Sequence, residues 1–140
     1  MSTNASIATV LPNGHIYAIY LHWDGYPGHA GAILNKHYLD AEKVMQMLDL
    51  GDVSVLDSEI TGAEGHSFNS RAPGQTIFYG RDRGDQGAEA KTFSTIAKWA
   101  DFYDTAEYFY LFHNGTWVGG SARWLNKYKN TTPSEVFAHE

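Results

Sequence analysis

Cysteine is absent from these 140 residues. No disulfide and no thiolate metal site can form. Long apolar runs are missing as well: nothing approaches the roughly 18 consecutive apolar residues of a membrane-spanning helix. The segment Met1 to Val10 holds neither a basic stretch nor a long apolar one. A secretory signal is therefore not expected, and the cytoplasm is the expected compartment. Basic side chains are few, ten Lys and Arg against sixteen Asp and Glu, for a formal net charge of −6. That balance disfavours direct nucleic-acid binding, which phosphate neutralisation by Lys and Arg would drive. Also lacking are a Gly-x-Ser-x-Gly elbow, a phosphate loop and a His-Glu-x-x-His pair. The seven histidines are scattered. No catalytic residue, no metal and no cofactor is predicted, and the oligomeric state stays open.

What is present is a chain 43% hydrophobic and 14% aromatic. That is enough for a packed core and too apolar for disorder, and the length suits one domain over 1–140. Runs 5–11 and 16–22 flank Asn13-Gly14, and runs 107–112 and 116–118 flank Asn114-Gly115. Asn-Gly between apolar runs signals a hairpin, because type I′ turns need positive φ at both central residues. In run 16–22 both alternating sets are fairly apolar, as in a well-covered strand. Pro27 opens a helix to Tyr38, Asp40 caps a second to Leu50, and Ser94 caps a third to Tyr103. Val53 and Val55 read as a short strand, 62–74 as a loop, 75–79 as a strand, and 84–92 as a polar loop. The expectation is an α+β fold: a single antiparallel sheet of four to five strands with two or three helices packed on one face.

Two glycine-bracketed clusters stand out: His22-Trp23-Asp24-Gly25-Tyr26-Pro27-Gly28-His29 and Phe78-Tyr79-Gly80-Arg81-Asp82-Arg83-Gly84. Each follows a strand-like run and mixes charge with aromatics, as displayed loops do. The candidate ligand- or partner-binding residues are His22, Trp23, Asp24, Tyr26, Tyr79, Arg81, Asp82 and Arg83. Arg81 and Arg83 suit a bidentate clamp on a phosphate or carboxylate. The rival and favoured reading is structural, with an arginine paired to Asp24 or Asp82 so that the two loops sit together. Asp24 reads as a cap or turn residue before it reads as a catalytic carboxylate. Trp23 and Tyr26 read as core before they read as a stacking wall. His22 or His66 beside Asp24 would form an acid–base pair, and a small hydrolase built on His22, Asp24 and His66 is a further alternative. Arg83-Gly84-Asp85 spells a cell-adhesion tripeptide, without use in a cytoplasmic chain.

The charge is uneven. Residues 40–64 hold seven acids and only Lys43, which accounts for the whole net charge. Asp49, Asp52, Asp57 and Glu59 would form an acidic partner surface if this stretch mimicked a nucleic-acid backbone; a solvated helix face is the ordinary reading.

The two clusters, with the opening Met1-Ser2-Thr3 and Ile7-Ala8, resemble a family of small bacteriophage and prophage proteins. These carry an aromatic-Asp-Gly-Tyr-Pro segment after an N-terminal hairpin and then a Tyr-Gly-Arg-Asp segment. The resemblance covers about 3–112 and brings no settled activity and no catalytic residues. It implies an accessory protein acting in the bacterial cytoplasm, most simply by binding and inhibiting a host or defence protein. The expected partners are thus a host bacterial protein or, as the alternative, an anionic small molecule such as a nucleotide.

Overall fold

The computed structural model describes residues 2–140. In chain order the elements are β1 (Ala5–Val10), β2 (Ile16–Leu21), a π-helical turn (Pro27–Gly31), α1 (Ala32–His37), α2 (Ala41–Asp49), β3 (Val53–Val55), β4 (Ile77–Phe78), α3 (Tyr79–Arg83), β5 (Lys91–Phe93), α4 (Ile96–Phe102), β6 (Tyr108–His113), β7 (Thr116–Ser121), α5 (Ala122–Asn126) and α6 (Pro133–His139).

The local signals produce local structure. Asn114 and Gly115 both have positive φ (50° and 77°) and close the β6–β7 hairpin as a two-residue turn. At the first hairpin the turn differs from the expected one. Leu11 and His15 bracket a three-residue loop in which only Gly14, at φ 85°, is left-handed. Asp40 caps α2 by accepting the Glu42 N–H at 3.1 Å. Thr95, not Ser94, caps α4, accepting from the Lys98 N–H. Run 75–79 is strand only at Ile77–Phe78. It then turns helical, because the Asp82 carboxylate reaches back to the Phe78 N–H at 2.8 Å.

The sheet is not the expected one. It has seven strands in the order β4-β3-β2-β1-β6-β7, with β5 also on β2, and it is mixed. β1 pairs antiparallel with β2 but parallel with β6, and β2 pairs parallel with β3. The parallel β1–β6 contact sets the two hairpins edge to edge. A parallel pair needs a long crossover, here everything between β2 and β6. Lys91 and Thr92, expected in the 84–92 loop, form β5 with Phe93 beside β2.

Helices cover both faces, not one. On the first face Ile7, Ile19, Leu21 and Phe112 pack against Leu34 and Tyr38 around α1, and Val44, Met47 and Leu48 of α2. On the second, Ala8, Ala18, Phe109 and Leu111 pack against Ile96 and Trp99 of α4, Leu125 of α5 and Val136 of α6. Ala5 to Thr9 are all buried, which is what a central strand between two helical layers requires.

Candidate functional site

The sheet leaves a gap that positions a site. The outer edge of β2 pairs with β5 over Ile16–Ala18 and with β3 at Leu21. Between them the Tyr20 N–H meets no strand; it donates to Asp52 Oδ1 at 2.9 Å. A shallow cavity of about 310 Å³ opens here, lined by Tyr20, Asp52, Tyr79, Arg83, Asp85 and Gln86 among others. Burial pushes the Asp52 carboxyl above its ordinary value, against the Tyr20 hydrogen bond, which favours the charged form. The folded state thus opposes ionisation of Asp52. Any stability this group adds is present below the unfolded carboxylate value and is lost as pH rises through the raised one. Asp52→Asn keeps an oxygen for the Tyr20 N–H and removes the desolvated charge. Its urea midpoint at neutral pH is expected to equal or exceed that of the native chain; a clear fall would show the charge to be required.

Tyr20 also links to the first cluster. Its hydroxyl accepts from Asn4 Nδ2 at 3.2 Å and lies 3.0 Å from His22 Nδ1. The Trp23 ring stands edge-on to His22 at 4.6 Å between centroids. Trp23 and Tyr26, read as core, are both 42% exposed. Gly25 explains the turn between them. Its N–H donates to Thr3 O at 2.7 Å, its carbonyl accepts from the Tyr110 hydroxyl at 2.7 Å, and an added Cβ would sit 2.8 Å from the Ala5 Cβ. Asp24 is exposed at φ 55°. It does not cap the π-helical turn, which begins at Pro27 with Tyr26 in the N-cap position and has no side-chain cap.

The second cluster divides in two. Arg81 and Asp82 turn inward and fasten the long connection 56–76. Arg81 donates to Ile60 O, to Thr76 O at 3.2 Å and to both Asp82 oxygens, and lies over the Phe78 ring. Asp82, its side chain 6% exposed, also accepts from the Phe78 N–H and from His66 Nε2 at 3.1 Å. His66 Nδ1 accepts the Ala72 N–H, which leaves the ring proton on Nε2 for Asp82. Burial works to raise the Asp82 carboxyl. The bonds from Arg81, Phe78 and His66 outweigh it and hold the group below its ordinary value. Arg83 and Tyr79 face outward instead. The Arg83 guanidinium is half-exposed, lies 4.6 Å from the Phe68 ring and 4.8 Å from the Tyr79 ring, and is bidentate to Asp85 at 2.8 Å.

The expected ion pair between Asp24 and Arg81 or Arg83 is not formed, because each arginine takes an acid on its own segment, Asp82 or Asp85. No hydrogen bond among the described residues joins His22, Asp24 and His66; His22 is tied to Tyr20, and His66 is enclosed. The four acids of the candidate partner surface are each engaged locally. Asp49 accepts from the Tyr17 hydroxyl, Asp52 from the Tyr20 N–H, Asp57 from Arg71, and Glu59 stands 3.8 Å from Lys43. No group of three potential metal ligands occurs among the described residues, and none of their helices is long and apolar enough to cross a membrane. A larger cavity of about 460 Å³ lies at the tip of the β1–β2 hairpin and contains none of the sequence-derived candidates. Sequence reasoning missed Tyr20, Phe68 and Asp85. Only Asp85 carried a signal, its spacing two residues from Arg83.

Comparison with protein-family models, curated proteins and solved structures finds no match to this chain.

Proposed function

We propose that this chain is a binding protein that occupies a bacterial host protein in the cytoplasm, and that it does so through the face running from Trp23 and His22 across Tyr20 to Tyr79 and Arg83. One observation carries the reading: Trp23 and Arg83 are half-exposed yet already held, Trp23 against His22 and Arg83 between two rings and a carboxylate. Trp, Tyr and Arg dominate binding energy at protein interfaces, and side chains ordered beforehand lose less entropy on docking. The resemblance to phage accessory proteins supplies the setting, inhibition of a host or defence factor.

The anionic small-molecule reading has less support. Arg81 spends its donors inside the protein, Arg83 is matched by Asp85, and Asp52 adds a further acid to the cavity. The test is affinity capture from bacterial lysate by the native chain and by Trp23→Ala and Arg83→Ala. Each variant is expected to keep its melting temperature and to lose about 2 kcal/mol of affinity for one captured host protein, roughly thirtyfold. A bait list identical for native and variants would overturn the reading. So would a small anion that co-purifies stoichiometrically and is lost with Arg83.

A further inference from the structure

The two margins of the sheet are unequal. On the side of the proposed binding face, β4 has two residues, and β5 has three and carries Lys91. Short and charged edges resist pairing with other chains. β7 is the opposite margin, six residues long, Thr-Trp-Val-Gly-Gly-Ser, without a charge or a proline. Its hairpin register fixes which backbone groups are free. The two-residue turn makes His113 and Thr116 a hydrogen-bonded pair, so Thr116, Val118 and Gly120 bond to β6. Trp117 and Gly119 point both their N–H and C=O groups outward, and Ser121 points its N–H outward while its carbonyl opens α5. Among the described residues, no strand of the sheet pairs with this edge.

The faces of β7 are closed where its edge is open. A Cβ on Gly119 would lie 2.7 Å from the Tyr110 ring, and one on Gly120 would lie 2.6 Å from the Trp124 ring. An incoming chain can therefore meet this strand only along its edge. Beside that edge lies a groove of about 320 Å³, lined by Pro27, Ala32, Asn35, Tyr110, Trp117 and Gly119. α1 forms its far wall.

We propose that the β7 edge is a second contact site, which takes an extended peptide segment of another protein as an added strand with an aliphatic side chain in the groove. Unpaired main-chain donors and acceptors select a strand, and the adjoining pocket selects the alternate side chain. The rings and proline around the groove call for an apolar group, and the Asn35 amide in its lining already donates to Gly31 O at 2.8 Å. A second copy of this chain fits poorly. Antiparallel self-pairing would set like faces side by side, so the side chains brought to the groove would be those of Trp117, Gly119 and Ser121. Trp117 is committed to Tyr38 O at 2.8 Å in its own core, glycine has no side chain, and Ser121 caps α5. The site stands independently of the Trp23 and Arg83 face.

The test uses a displayed library of random decapeptides selected on the immobilised native protein, followed by synthesis of the enriched peptide. Its binding is expected to slow hydrogen exchange at the Trp117, Gly119 and Ser121 amides. Ala32→Arg fills the groove from an exposed position on α1. Ser121→Pro removes one outward N–H at φ −70°, which proline accepts. Each is expected to weaken binding about tenfold, while Trp23→Ala binds as the native chain does. If Ser121→Pro fails to fold, Ala32→Arg decides alone. No enrichment above blank support, or binding indifferent to Ala32→Arg, overturns the proposal. So does concentration-dependent protection of the same amides without peptide, which would mean that copies pair.

Discussion

Asp82→Ala is expected to lose about 3–5 kcal/mol of stability, the cost of removing one partner from a buried ionic cluster. Three donors converge on this carboxylate: the Arg81 guanidinium, the Phe78 N–H and His66 Nε2. Truncation leaves the Phe78 N–H and His66 Nε2 without this acceptor and leaves the Arg81 guanidinium only the Ile60 and Thr76 carbonyls. The loss spreads through the chain, because Arg81 and His66 also hold the 56–76 connection through Ile60, Thr76 and Ala72. α3 is expected to fray with it, so Asp82→Ala should weaken partner binding through misplacement of Arg83. Arg83→Ala should weaken binding with stability intact. Urea unfolding of both variants, read beside their binding, separates the roles. Native-like stability in Asp82→Ala would show that the connection is held elsewhere.

The same carboxylate gives a pH dependence of definite sign. Its folded value is depressed, so its contribution is fully present above the unfolded value of about 3.8 and is lost as pH falls through the lower folded one. Acid should therefore loosen the 56–76 connection in the native chain, and the acid limb of the stability curve should flatten in Asp82→Ala.

Local chemistry was legible in the sequence; its assembly was not. Asn114-Gly115 specifies its own turn, and Asp40 caps its own helix, because each acts on residues within one turn of itself. The parallel β1–β6 contact depends on a crossover through most of the chain, and no residue near either strand encodes its polarity. One clue to the second helical layer was present in β2, whose two faces are both fairly apolar. A strand apolar on both faces needs cover on both, and α4 to α6 supply it. At the site, the acid–arginine chemistry of Tyr79–Arg83 was visible, but its partners were not. Asp82 outcompetes Asp24 for Arg81 because it lies next to it, and Phe68 reaches Arg83 only through the fold. His66 carried no motif, since a buried structural histidine and a surface one read alike in a sequence.

Trp99 supplies the other large effect. The ring is fully buried and stands edge-on to Phe109 at 5.3 Å. Its Nε1–H donates to Ser6 Oγ at 2.9 Å, and the Ser6 hydroxyl donates in turn to Ile19 O at 2.9 Å. A buried serine near the start of β1 thereby ties α4 to the sheet. Trp99→Ala is expected to cost about 3–5 kcal/mol, for lost burial and the cavity left behind. Ser6→Ala is expected to cost about 1–3 kcal/mol, because it strands the indole N–H in an apolar layer. Trp99→Phe removes that donor and keeps most of the ring, so the serine loses its reason to be there. Adding Ser6→Ala to Trp99→Phe should then cost less than Ser6→Ala does alone. Urea midpoints at constant slope measure the four corners of this cycle. Strict additivity would mean that the Ser6 hydroxyl matters only to Ile19 O, and that α4 is held to β1 by packing without help from the hydrogen bond.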